Sequence, residues 1–401
     1  MDARYQRLAD VYAEAVTKAS AVRDLFARAG LNPRDIKGVE QLSKLPVTKK
    51  EALLALQREN PPFGGFLAAD MSQVARIYCS PGPILEPAVR GEDVHGFRHA
   101  FKASGIGPGD IVLNTWSYHM VPAGLLFDEG LQALGATVIP SGVGNTELQA
   151  QLILELGVTA ICASTGFFVA LAEHIESTGK KLPEDWKVKV AFLGGEFGDW
   201  MGKRRRLEER YRLRTSSAYA TADLGIIAFE DGGEGYLSHP DRIVQICDPV
   251  SGQPLAAGEP GEIVVTQLHP GWPMIRFGTG DVAFALESFE DGTARRISAL
   301  QGRVGQAVKA REIFVYPRQI EEVKIAVAGI QAIQCVVSRP ASREEIALEV
   351  ELAPGADAEQ VGGAAREAFQ RFSRLRADHF RVVAAGSIKP EAPLVVDRKD
   401  V

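Results

Sequence analysis

The sequence predicts an α/β protein: a large N-terminal domain of parallel sheets covered by helices, carrying a β-rich subdomain, followed by a small C-terminal α+β domain. Three observations predict it. Short apolar runs alternate with helix-period segments from Val74 to about residue 211, strands replace helices beyond about residue 226, and a fresh α+β pattern begins after Gly302 and Arg303. At 401 residues the chain is longer than one hydrophobic core usually organises. Domains are therefore expected over 1–302 and 303–401, the second of them mobile.

The elements follow in order. Residues 1–70 read as a helical opening segment, with Leu8, Val11, Tyr12 and Ala15 at helical spacing and Pro46 and Pro61 as punctuation. ARIYCS is then read as the first strand, with a helix over 92–104 after it. The alternation continues through DIVLNTW, helix 122–134, ATVIPSG, helix 146–156, AICAS, helix 166–178, KVAFLGG and helix 199–211. In such folds ligands sit beyond the carboxyl ends of the strands, so the loops there are the candidate sites. The β-rich stretch of about 226–302 holds GYLSHP, RIVQICDP, GEIVVTQL and PMIRFGTGD. The last hundred residues supply helix 317–328, two long strands, helix 357–373 and FRVVAAG.

Composition excludes several classes of function. A net charge of −6 offers no basic excess for a nucleic-acid backbone, and the KRRR run at 203–206 is read as a solvated helix face. No run of about 18 apolar residues is present, so neither a membrane span nor a membrane partner is expected. The four cysteines are widely separated and form no CxxC pair, which argues for buried thiols in a reducing, cytoplasmic setting. His239 and Cys247 lack a second pair of soft ligands for zinc. Ser117 and Ser164 have no evident His/Asp escort for hydrolase chemistry.

Several segments, in order and spacing, resemble phenylacetate-CoA ligases of the adenylate-forming superfamily. They are the stretch 109–149 beginning GDIVLNTWSYHM, FLGGEFGDW, SAYATADLG, MIRFGTGD, GRVGQAVKAREIFVYPRQIEEV and the terminal PLVVDR. The resemblance runs from about Val74 to the C-terminus. It implies ATP, Mg²⁺ and CoA as cofactors and a small-molecule carboxylic acid as substrate. Oligomeric state stays open, a homodimer being one possibility.

The resemblance also implies site residues. In SAYATADLG, Tyr219 matches the aromatic beside adenine, Ala220 and Thr221 continue the strand end, and Asp223 matches the carboxylate that holds Mg²⁺; the hydroxyl position reads Ala222. In RFGTGD, Asp281 matches the acid that grips both ribose hydroxyls, after a turn read at Thr279 and Gly280, and Arg303 matches the arginine that supports the ribose. Gly194, Gly195 and Glu196 match the turn along the adenine. RIYCSPGPILEP stands where the family has its phosphate loop: Ser80 and Gly82 fit, whereas Pro81 and Pro83 donate no N–H and Glu86 stands near the family's cation. Tyr118, His119 and Phe192, with Phe167 and Phe168, are expected to line the acyl pocket.

The C-terminal segment departs from the pattern. Aligning Val395, Val396 and Asp397 on the family's ending places Glu391 where a catalytic lysine is expected, with Lys389 and Lys399 nearby, while Gly305 replaces the hinge acid and Glu312 a glycine near CoA. The leading reading is an ATP-dependent acid-CoA ligase acting on an aromatic or aryl-alkyl acid through an acyl-adenylate. The alternative is an adenylation-deficient homologue that binds a nucleotide or acyl-adenylate, or catalyses acyl transfer only.

Overall fold

A computed structural model describes residues 2–80, 83–194, 200–311, 313–340 and 344–399, without the side chains of 200 and 201. The chain divides into two compact units. One comprises Met1–Glu259, Ile263–Thr279 and Phe284–Ser298; the other comprises Pro260–Glu262, Gly280–Ala283 and Ala299–Val401.

The first unit is built on a five-stranded parallel sheet in the order Thr137–Ile139, Ile111–Asn114, Ala160–Ser164, Val190–Gly194, Arg214–Ser216. Successive strand residues point to opposite faces, and the core follows that period of two. Val112, Ala160, Cys162, Val190 and Phe192 face one cluster with Phe97, Phe101, Leu126 and Leu131 of helices Phe97–Ser104 and Ala123–Ala133. Leu113, Ile161, Ala163, Ala191 and Leu193 face the other, with Ile153, Phe168, Leu171, Leu207 and Tyr211 of helices Thr146–Glu155, Thr165–Ser177 and Trp200–Tyr211. Both faces are covered, which is why the strands read as continuous apolar runs.

Three expectations are corrected. Val74–Ser80 does not open the parallel sheet; it pairs antiparallel with Ile84–Val89 as a separate two-stranded hairpin. The second strand escaped notice because Pro83, Glu86 and Pro87 break the usual strand composition, which an edge pairing tolerates. After helix Trp200–Tyr211 strands resume at Arg214 and not near 226, because Arg214–Ser216 completes the parallel sheet and Ala218–Thr221 starts the next. FGTGD is no turn: it lies in the strand Phe277–Ala283, with Gly280 at φ 76°, a conformation glycine adopts without steric cost.

That next sheet runs Ala285–Ser288, Ala294–Ile297, Tyr236–Ser238, Gly225–Phe229, Ala218–Thr221. A further sheet contains Phe277–Ala283, Gly261–Gln267 and Arg242–Cys247, and takes in Thr48–Lys49 from the helical opening segment, parallel to Phe277 and Gly278. Helix Lys50–Glu59 follows immediately.

The second unit has its own core. Strands His379–Val382, Glu345–Leu352, Ile330–Ser338 and Val395–Arg398 form a four-stranded sheet. Helices Pro317–Ala326 and Ala358–Ser373 bury Ile320, Val323, Ala365 and Phe369 against its Ile333, Cys335, Leu348 and Val350.

Candidate functional site

An apolar cavity of about 210 Å³ lies in the first unit at the carboxyl end of the parallel sheet, where Phe192, Leu193 and Gly194 close one strand. Phe97, Trp116, Leu126 and Phe127 supply its other apolar walls, and Ala220, Thr221 and Ala222 form a rim. Phe127 stacks edgewise on Phe101 and Phe192, at 5.4 and 5.7 Å between centroids, so the aromatic wall is locked by packing. Among the described residues, two polar atoms on this wall, Trp116 Nε1 and Thr221 Oγ1, are buried without a hydrogen-bond partner. A compact apolar body carrying an acceptor at one end fits such a lining.

Two residues beyond Thr221 stands Asp223, in the turn between strands Ala218–Thr221 and Gly225–Phe229. Its carbonyl accepts the Trp272 indole N–H at 2.8 Å, which pins the turn. The Asp223 side chain is wholly buried; Lys50 Nζ lies 2.6 Å from Oδ2, and Oδ1 has no hydrogen-bond partner among the described residues. Lys50 opens its helix directly after the strand Thr48–Lys49, so the parallel pairing with Phe277 and Gly278 fixes where the ammonium starts. From the same helix Gln57 holds Leu85 twice, donating to its carbonyl at 2.7 Å and accepting its N–H at 2.9 Å. Glu86 follows Leu85 and is buried.

Ser80 donates its hydroxyl to Glu86 Oε1, while Glu86 Oε2 is buried without a partner among the described residues. Burial pushes the Glu86 carboxyl up to about 7; the Ser80 hydrogen bond and Lys50 pull it down, and the Asp223 charge raises it further. The residue standing near the family's cation position is thus an acid buffered around neutrality. The cation of this cluster comes from Lys50, 173 residues from Asp223 in sequence. Nothing in the local sequence around Lys50 distinguishes it from its neighbour Lys49.

In the second unit Asp281 pairs across antiparallel strands with Arg303, whose Nε lies 3.3 Å from Oδ1. The Asp281 side chain is 11% exposed and that of Arg303 66%. Glu262 Oε1 accepts the Gly280 N–H at 3.2 Å and steadies the strand beside the acid. Glu391 is exposed in a turn, Lys389 is exposed with its ammonium on the Gly386 carbonyl, and Lys399 is held by the Lys309 carbonyl at 2.7 Å and Asp397 at 3.1 Å.

The structure brings together some expected residues and separates others. Phe192, Ala220 and Thr221 line the cavity, and Tyr219, on the opposite side of that strand, is buried. Tyr118 and His119 do not line it. The Tyr118 hydroxyl is engaged by Asn114 Nδ2 at 2.8 Å, and His119 is exposed on the loop beyond. Phe167 and Phe168 belong to the opposite face of the sheet, Phe168 packing on Trp186 and Tyr211, because their helix covers that face. Ser80 is turned to Glu86. Pro81, Gly82, Gly195, Glu196 and Glu312 lie outside the described residues. Trp116, Phe127 and Lys50 are the site residues that sequence reasoning missed.

A magnesium ion fits Asp223 in the usual manner of that ion, one carboxylate oxygen with the remaining ligands from phosphates and water, since Oδ1 is the unsatisfied atom. Among the described residues no group of three or more His, Cys, Asp or Glu side chains is arranged to hold a metal unaided.

No family model matches the chain. It is 30% identical to a phenylacetate-coenzyme A ligase of Thermus thermophilus over 364 residues, 86% of this chain and 80% of that protein. It is 33% identical to a phenylacetate-coenzyme A ligase of Pseudomonas putida over 319 residues, 75% of this chain and 70% of that one. Among solved structures, 2-hydroxyisobutyryl-CoA ligase in an open conformation, in complex with 2-HIB-AMP and CoA, superposes with a TM-score of 0.85 at 24% identity, covering 98% of this chain and 90% of that chain. MatB from Rhodopseudomonas palustris superposes with a TM-score of 0.53 at 17% identity, over 79% of this chain and 65% of that chain.

Proposed function

The chain belongs to the phenylacetate-coenzyme A ligase family, and from that premise we propose that it is an ATP-dependent ligase joining a compact aromatic or aryl-alkyl acid to coenzyme A. The observation that carries the reading is the apolar cavity whose rim, Ala220–Ala222, leads directly into the buried acid Asp223. An acid seated with its ring against Phe127 and Phe192 directs its carboxylate toward that rim. One carboxylate oxygen attacks the α-phosphorus of ATP, the bond to the β-phosphate bridging oxygen breaks, and pyrophosphate departs. The coenzyme A sulfur then attacks the acyl carbon, its thiol proton goes to solvent, and AMP leaves.

Each group has a physical task in this scheme. Thr221 Oγ1, buried and without a partner among the described residues, offers a donor at the rim; removing such a donor from a developing oxyanion typically costs about 10²–10³ in rate. Mg²⁺ on Asp223 would supply electrostatic stabilisation of phosphate oxygens. Lys50 brings a cation to the same carboxylate and offsets the absence of one in the 80–86 hairpin. Glu86, titrating near 7, takes up a proton as phosphate approaches, which relieves the repulsion a fixed carboxylate would impose. Asp281, steadied by Arg303, is assigned to the ribose hydroxyls. We place the enzyme in the cytoplasm on its four free cysteines, three of them buried. No helix among the described residues is long and apolar enough to cross a membrane.

The test is pyrophosphate release with ATP, Mg²⁺ and a panel of aromatic, aryl-alkyl and short aliphatic acids, followed by thioester formation on adding coenzyme A. Turnover concentrated on the compact aryl-alkyl acids supports the reading. Absence of pyrophosphate release, with acyl transfer from a supplied acyl-adenylate intact, replaces it by the half-reaction.

A further inference from the structure

A second cleft, of about 500 Å³, opens in the first unit between the helical opening segment and the turn at residues 250–253, and shares no residue with the acyl cavity. Arg28, Lys44, Lys49 and Arg276 line it, and among the described residues no Asp or Glu does. Among the described residues neither Arg28 nor Lys44 makes an ion pair, the Arg28 Nε bonding only the Asp24 carbonyl. Lys49 Nζ rests on the Pro249 carbonyl at 3.0 Å.

Arg276 sets the character of the cleft. Its side chain is almost wholly buried, yet its hydrogen bonds run to the Ser43 carbonyl at 2.8 Å, the Leu45 carbonyl at 2.5 Å, the Gly252 carbonyl and the Cys247 sulfur, all of them neutral. Nε is buried without a partner among the described residues. Carbonyl dipoles orient the guanidinium without cancelling its charge, and buried charges are ordinarily paired. Low-dielectric walls focus the field of this charge into the cleft, where Arg28 and Lys44 add to it.

We propose that this cleft is a binding site for a polyanionic phosphate group, of the size of pyrophosphate or of a nucleotide diphosphate. A single carboxylate would meet one fork of donors; Arg28, Lys44 and Arg276, on different elements, suit a ligand with several charges spread over a few ångströms. The site touches the chemistry through one peptide unit. Lys49 ends the strand Thr48–Lys49 facing this cleft, and Lys50, next in sequence, reaches Asp223.

The inference does not rest on the ligase reading, and calorimetry on the full chain separates the two. The nucleotide site is first filled with a non-hydrolysable acyl-adenylate mimic; failure of the mimic to bind counts against the ligase reading alone, and the titrations then proceed on the Asp223→Asn variant. Pyrophosphate and ADP are titrated next. One further binding event is expected, weakening steeply as salt rises, and lost at least tenfold in the Arg28→Gln/Lys44→Gln variant while affinity for the mimic is unchanged. Tighter binding of ADP than of pyrophosphate identifies a nucleotide as the natural ligand, and equal binding identifies the bare diphosphate. No binding of either, or equal binding by the double variant, overturns the proposal.

Discussion

Lys50 Nζ lies 2.6 Å from Asp223 Oδ2, joining the first residue of a helix in the opening segment to the turn that closes the acyl cavity rim. The Asp223 side chain is inaccessible to solvent while Lys50 is 30% exposed, so a cation that solvent still reaches compensates a carboxylate that it does not. Loss of either partner exposes the other to an unbalanced environment.

Lys50→Met is expected to destabilise the protein by about 1–2 kcal/mol, less than a fully buried pair because solvent reaches the lysine. Adding Asp223→Asn should recover part of that loss. Urea unfolding of the two single variants and the double variant measures the coupling, and strictly additive losses would show that the pair contributes nothing.

Glu86 gives a pH signature opposite to that of an ordinary carboxylate. Its folded value of about 7 lies above the ordinary 4.5, so its contribution to stability is complete below 4.5 and is lost as pH rises through 7. Glu86→Gln removes this titration. The variant should gain stability relative to the parent between pH 5 and pH 8, as read by urea midpoints at the two pH values.

Three histidines, His239 buried and His95 and His269 half-buried, act in the other direction. Burial lowers His95 to about 3, His239 to about 2 and His269 to about 4, with the buried Arg242 guanidinium adding to each, His269 adding to His95, and Asp241 opposing at His269. Their contribution is present above 6.5 and is lost as pH falls toward these values, because the unfolded chain binds protons first. His269 Nδ1 accepts the N–H groups of Gly271 and Trp272, so His269→Asn keeps an acceptor while removing one titrating ring. Stability should fall from pH 7 to pH 5 less steeply in this variant.

Ala222→Val adds two methyl groups at the rim of a cavity of about 210 Å³. A steric change of that size is worth roughly 10–200-fold in discrimination between acids. kcat/KM for an aryl-alkyl acid should drop by about that factor, with a smaller loss for a short aliphatic acid; equal losses for both would place the acid elsewhere.

Asp281→Asn keeps the size of the side chain and weakens its grip on Arg303 and on a sugar diol. Affinity for AMP is expected to fall roughly tenfold or more, equivalent to one charged hydrogen bond. Calorimetry with AMP checks it, and unchanged affinity would remove Asp281 from the ribose assignment.

Much of the architecture was legible because it is written in local periods. The helix and strand alternation from Ile111 to Ser216, the two long helices of the C-terminal unit and the assignment of Phe192 to a strand end all follow from spacing of apolar residues. The hairpin at 74–89 was not, since Pro83 and Pro87 hide a strand whose pairing needs no central position. Trp116 and Phe127 carry no pattern that separates a pocket wall from ordinary core.

By itself the sequence determined the layering of the parallel sheet, since alternate residues of each strand are apolar on both faces, and it determined the family through motifs in fixed order. Only the tertiary structure decided which charges meet. Lys50 and Asp223 stand 173 residues apart, Ser80 turns to Glu86 and not outward, and Arg276 is buried among carbonyls. Periodicity reports what a residue does relative to its own backbone, whereas an ion pair depends on where two distant stretches of chain cross, and that is fixed by packing of the whole unit.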